Sequence, residues 1–106
     1  MSRDLYEDSR EIMKLMLNPP KFTPGQIVAT QGALTELKQG EITKALSRHL
    51  RGDWGEVDDE DREANEFALA DGERLFSVYT TRDGICFWII TEADRSATTV
   101  LLPDEY

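Results

Sequence analysis

Cysteine and histidine are almost missing from this 106-residue chain: Cys86 and His49 stand alone. A lone cysteine has no partner for an internal disulfide. One cysteine with one histidine is too little material for a zinc site or a histidine-based triad, so neither metal nor cofactor is expected. Long apolar runs are also lacking. The longest, Ile85 to Ile90, falls far short of the ~20 residues that span a bilayer, and no signal-peptide core precedes it, so the chain reads as soluble and cytoplasmic, without a membrane partner. Basic charge is scarce too. Twelve Lys and Arg against 21 Asp and Glu give a net charge of −9 and a pI near 4.5. That balance argues against direct nucleic-acid binding. What the chain does have is a 40% hydrophobic content, enough at this length for one compact core.

The charge is unevenly placed. Residues 53–73 carry ten acidic groups and one basic, whereas residues 21–52 carry five basic groups and two acidic. The molecule is therefore dipolar along its sequence. A charge run of this kind is either a solvated face or a surface that meets a basic partner.

Residues 1–20 read as an amphipathic helix, with Leu5, Tyr6, Ser9, Ile12, Met13 and Met16 on one stripe, closed by the stiff connector Asn18-Pro19-Pro20. Its Met-rich stripe suits adaptable contacts, either with the body of the protein or with a second copy in a homodimer through residues 1–18. Residues 21–106 form one domain. Gln26 to Thr30 reads as a short strand. Leu34, Leu37, Ile42, Ala45, Leu46, His49 and Leu50 keep helical spacing on either side of Gly40, which is expected to break the segment in two. Asp58 can cap a further helix with acidic residues in its first turn, Ala64, Phe67 and Ala68 on its buried side, and Gly72 at its end. The last third changes to strand period. Leu75 to Thr81 and Ile85 to Thr91 flank Asp83-Gly84, a two-residue hairpin signal that would pair Tyr79 with Trp88 and Val78 with Ile89. Ala97 to Leu102 follows as a third strand. The expected architecture is α+β: N-terminal helix, short strand, two or three helices, then a three-stranded antiparallel meander packed against them, with the apolar middle strand central.

Few residues present themselves for chemistry. His49, on the apolar stripe of its helix, is expected to be a core-edge residue held by a carboxylate such as Asp53, and only secondarily a base. Cys86, within an apolar strand, reads as a packing residue. Trp54 either plugs the core or serves as a recognition aromatic on the Gly52–Gly55 turn. Glu92, Asp94 and Arg95, in the loop before the last strand, either bind a ligand or hold the turn. The run Asp58, Asp59, Glu60 and Asp61, with Glu63, Glu66 and Asp71, lacks the glycine and alternation of a calcium loop. Asp59, Glu63 and Glu66 instead recur along one helix face at about 5 Å per step, a sparser echo of the ~3.4 Å phosphate spacing of a DNA strand, and with Asp58, Glu60 and Asp71 alongside they make up the expected acidic face. No catalytic residue emerges.

Several stretches are distinctive: Pro24 to Thr30 with Gly32-Ala33-Leu34; Arg48-His49-Leu50 followed by Gly52-Asp53-Trp54-Gly55; and Trp88 to Ser96 with Thr98-Thr99 and Leu101-Leu102-Pro103. Over about residues 22–106 they resemble a family of bacterial proteins of roughly a hundred residues carried on plasmids and other mobile elements. Members of that family bear labels such as "plasmid-related protein" and "type I restriction endonuclease subunit M". A methyltransferase subunit needs a cofactor-binding domain that this length does not accommodate, and Asn18-Pro19-Pro20-Lys21 lacks the aromatic of the catalytic motif. The element order is also similar to that of RelE/ParE-like toxins, which are usually basic. The resemblance and the charge together imply a non-enzymatic, mobile-element accessory protein. It would act through its acidic face on a basic protein surface, such as that of a nucleic-acid-binding defence complex, as an anti-restriction or anti-CRISPR inhibitor. The alternative is a small toxin or nuclease.

Overall fold

Alternating β-branched and aromatic side chains build the sheet on which everything else is placed. The computed structural model describes residues 19–106; the amphipathic segment and its proposed dimer contact lie outside the described residues. Four strands, β1 (Gln26–Ala29), β2 (Leu75–Thr80), β3 (Cys86–Thr91) and β4 (Ala97–Leu101), are joined by three α-helices, α1 (Gln31–Glu36), α2 (Gln39–Leu50) and α3 (Asp59–Asp71), and followed by a 3₁₀ turn at Pro103–Glu105. The fold is α+β with a mixed sheet in the order β1-β4-β3-β2. β2, β3 and β4 pair antiparallel, as the expected meander requires, and β1 extends the sheet by pairing parallel to β4.

One face of the sheet carries Tyr79, Phe87, Ile89 and Val100. They pack beneath Ala33 and Leu37, at and just after α1, and Ala45 of α2. Ile89 and Val100 are fully buried, and such side chains each contribute about 1.5–3 kcal/mol through burial. A second cluster of Trp54, Val57, Ala68 and Leu75 fills the space between α3 and β2.

Local chemistry explains the helix ends. The Thr30 side chain accepts the Ala33 N–H at the start of α1, and Asp58 accepts the Asp61 N–H at the start of α3. Gly72 closes α3 in the left-handed conformation, with φ of 73°. The break between α1 and α2 falls at Leu37 and Lys38, both extended, rather than at the expected Gly40, which lies in the first turn of α2. Leu37 is drawn into the core, and its N–H still reaches Ala33 O, so the chain must redirect there.

Two further expectations are corrected. In the β2–β3 hairpin, Tyr79 opposes Phe87 and Val78 opposes Trp88, one residue away from the expected register. The Thr81 N–H still bonds Ile85 O and the Gly84 N–H bonds Thr81 O, so the connection is a three-residue turn, Arg82 to Gly84. Gly84 supplies the positive φ of 90° that such a turn needs. On α3, the expected buried positions Ala64 and Phe67 face solvent, and Asn65 and Ala68 face the body. The phase is set by Asn65, whose side-chain amide donates to Phe76 O at 2.7 Å while its carbonyl accepts the Phe76 N–H at 3.0 Å. Beside it, the Val78 N–H bonds Trp54 O and the Glu56 N–H bonds Val78 O. The outer edge of β2 is thereby sealed by a side chain and a crossing loop.

Candidate functional site

With Asn65 and Ala68 inward, a helix at 100° per residue turns Asp59, Glu60, Glu63, Phe67 and Asp71 outward together. All are exposed, and Phe67, at 65%, is among the most open large apolar side chains among the described residues. Its neighbours one turn away on the helix are Glu63 and Asp71. The only ion pair this face makes among the described residues is a loose one, Arg62 to Asp59 at 4.0 Å. Asp58 is spent on the cap, where its charge also suits the positive end of the helix dipole. Glu66 is spent on the body, its carboxylate accepting the Trp54 indole N–H at 2.8 Å. Six acidic residues expected on one face thus divide into a cap, a strut and an outward surface centred on an aromatic. The aromatic was misplaced by sequence reasoning. The usable signal was Asn65, a polar residue inside the stripe, which had to find a backbone partner.

Of the six residues weighed for a functional turn, five, His49, Asp53, Trp54, Asp94 and Arg95, make side-chain contacts within the fold. His49 is fully buried and touches Ser77 and Thr91, not Asp53 as expected. Its tautomer follows from the chain of hydroxyls beyond it. Thr98 must donate to Pro24 O at 2.8 Å, so Thr91 donates to Thr98, and His49 Nε2–H donates to Thr91 at 2.9 Å. Nδ1 then accepts from the Ser77 hydroxyl at 2.6 Å. Burial, helped by the positive charge of Arg95, pushes the imidazole pKa down to about 3, so the ring is neutral. The rings of Phe22 and Trp54 pack edge-on against it at 5.3 and 5.6 Å. Ser77, like His49, is fully buried.

Asp53 instead pairs with Arg48 at 2.8 and 3.2 Å. That guanidinium holds the Asp53 carboxyl below its usual range and is itself stacked 4.7 Å over the Tyr79 ring. Trp54 is the core plug, 1% exposed. Arg95 adopts a left-handed conformation, with φ of 62°, and aims its guanidinium at the carbonyls of Ala68, Glu73, Glu92 and Ala93. It clamps the loop before β4 to the end of α3, where a cation complements the helix dipole. Asp94 accepts the Ser96 N–H and sets the same turn, and the Glu92 side chain is exposed. Cys86, expected in the core, is exposed: it stands on the outer sheet face opposite Thr80, next to the hairpin turn.

Sequence reasoning also missed an open groove of about 910 Å³ between the start of α2 and the hairpin, lined by Lys38, Lys44, Arg48 and Arg82 with Glu41. The positive charge of residues 21–52 foreshadowed three of these cations, and only the fold adds Arg82. Among the described residues no cluster of three His, Cys, Asp or Glu side chains is placed to hold a metal ion. No helix among them is long and apolar enough to cross a membrane. No protein-family model, no curated protein and no solved structure matches the chain.

Proposed function

We propose that this protein acts by protein–protein contact, presenting the outward face of α3 to a basic surface on its partner. The observation that carries the reading is Phe67, 65% exposed and set among Glu60, Glu63 and Asp71. An aromatic anchor ringed by charge is the arrangement expected of a binding hot spot, with the anchor entering an apolar pocket and the carboxylates meeting a cationic rim. In its narrower form the partner is a nucleic-acid-binding defence complex, such as a restriction or CRISPR complex, inhibited on behalf of a mobile element. That form is supported by the resemblance over residues 22–106 and by the repeat of carboxylates along α3.

Affinity capture from host lysate at low and high salt, with wild type and with Phe67→Ser and Glu60→Lys/Glu63→Lys variants, identifies the partner. Binding is then remeasured with the purified components. The expected result is a complex that weakens with salt, loses at least tenfold in affinity with Phe67→Ser, and is lost on charge reversal. Binding indifferent to both variants would overturn the reading. Growth arrest on expression of the folded protein would favour the toxin alternative.

A further inference from the structure

Basic residues are scarce in this chain, and the fold gathers four of them around one groove. At 100° per residue, Lys38 at the N-cap of α2, Lys44 and Arg48 fall within about a third of the helix circumference, on the face that also carries Glu41 and Ala45. The hairpin turn brings Arg82 across from that face, and between them lies the open groove of about 910 Å³. Glu41 joins the two walls, its carboxylate accepting the Arg82 backbone N–H at 2.9 Å. Tyr79 and Phe87, each 2% exposed, lie beneath.

Four cations thus line a concave surface with one carboxylate. Lys38, Lys44 and Arg82 are exposed and make no ion pair among the described residues. Arg48 is held in place: Asp53 accepts from its Nε and Nη2 at 2.8 and 3.2 Å, and its Cζ lies 4.7 Å over the Tyr79 ring. Its Nη1 is left without a partner among the described residues. The neutral groups around the groove are already bonded. The Tyr79 hydroxyl donates to Asp53 O and the Thr80 hydroxyl to Glu56, while the Thr81 and Gly84 amides reach Ile85 O and Thr81 O. A peptide would therefore find no backbone ladder here. Apart from the Gln39 amide, the side-chain donors left free are cationic.

We propose that this groove binds the phosphate chain of a small polyphosphate ligand, either a nucleoside triphosphate or free tripolyphosphate. Such a chain is built of anionic acceptors and asks no acceptor of the protein, which matches a surface of charged N–H donors. Lys38 and Lys44 supply point charges, and Arg82 supplies a planar fork for two phosphate oxygens. Because Arg48 is fixed by Asp53 and Tyr79 before the ligand arrives, it loses little freedom on binding. The positive end of the α2 dipole adds to the same field. On a chain of net charge −9, a concave cationic surface concentrates anions where the rest of the molecule repels them. No residue of α3 lines the groove, so the site stands or falls independently of the proposed partner contact.

The test is calorimetric titration of the full chain at about 50 mM salt with tripolyphosphate, ATP and citrate. Both phosphate ligands should bind with a Kd of about 100 µM or tighter and weaken as salt is added, with citrate at least tenfold weaker. Equal affinities for tripolyphosphate and ATP would make the phosphate chain alone the recognised element, and tighter binding of ATP would make the ligand a nucleotide. Lys44→Glu and Arg82→Glu should each lower the affinity at least tenfold with an unchanged circular dichroism spectrum, whereas Lys44→Arg should retain it. Lys38→Glu serves as a further variant should one of the first two unfold. The proposal is overturned if neither phosphate ligand binds below about 1 mM, or if charge reversal in the groove leaves the affinity unchanged. Citrate binding as tightly as tripolyphosphate would overturn it too, by reducing the groove to a general anion surface. An acidic peptide or a single-stranded oligonucleotide binding the groove more tightly than either phosphate ligand would do the same, by making the occupant a macromolecule.

Discussion

His49 Nδ1 accepts a hydrogen bond from Ser77 Oγ at 2.6 Å, deep in a site closed on every side by α2, β2, β3, Trp54 and Phe22. The imidazole is the middle of a hydroxyl chain that ends on the Pro24 carbonyl and ties the entry to β1 to the centre of the sheet. Its value is that of a neutral group with a donor and an acceptor on opposite sides, which no aliphatic core residue supplies.

This neutrality makes stability depend on acid. The folded imidazole resists protonation down to about pH 3, whereas the unfolded one takes a proton near pH 6.5. Between those values the unfolded state binds more protons, so stability falls as pH falls, by up to about 1.4 kcal/mol per unit. The lowered carboxyls of Asp53 and Glu105 act in the same direction, but only below their ordinary range near pH 4. Urea unfolding between pH 7 and 5 should therefore isolate the His49 slope. His49→Gln, which keeps a donor toward Thr91, should flatten it. His49→Leu should flatten it too, at a further cost of about 1–3 kcal/mol for the stranded hydroxyls. A slope unchanged in both variants would remove His49 as its cause.

Asn65 stands in for a neighbouring strand at the edge of β2. Asn65→Leu would leave the Phe76 N–H and C=O unpaired beside an apolar side chain, with an expected loss of about 1–3 kcal/mol and a new tendency to associate through that edge. Chemical unfolding and light scattering report the two effects separately. Amide exchange at Phe76 in the native state should speed up in the variant; unchanged protection there would mean that the edge is sealed by something else.

Gly55 passes so close to β2 that a Cβ would lie 2.0 Å from Val78 O, and its φ is +74°. Both the contact and the backbone conformation require glycine. Gly55→Ala should cost more than about 2 kcal/mol, whereas Gly40→Ala, where a Cβ meets nothing within 4 Å, should be neutral or stabilising by up to about 1 kcal/mol. Thermal melts of the two variants, run side by side, test the contrast.

Much of the fold was legible because its signals are local. Asp58 and Gly72 bound α3 through their own side-chain and backbone chemistry, and the alternation in β2 and β3 needs no knowledge of the rest of the chain. The hairpin register was not legible, because Asp83-Gly84 serves a two-residue and a three-residue turn alike, and the choice lies in whether Thr81 pairs with Ile85. Phe67 was misread for a related reason. Ala64, Phe67 and Ala68 make a plausible apolar stripe, and the rotation of α3 was decided instead by Asn65 meeting the free backbone of Phe76, eleven positions away. The partner of His49 was likewise hidden, since Ser77 and Thr91 approach it only once β2 and β3 lie beneath α2.

The sequence by itself determined the class of fold, the ends of α3 and the placement of the negative charge, because caps, periodicity and charge act over a few residues. Tertiary structure decided which acidic groups are free. It tied Glu66 to Trp54, used Asp58 as a cap, turned Phe67 outward among Glu60, Glu63 and Asp71, and sealed the β2 edge of the sheet with Asn65 and the Trp54–Glu56 segment. Those outcomes depend on satisfying backbone groups between segments far apart in the chain, and such groups meet only when the sheet is assembled.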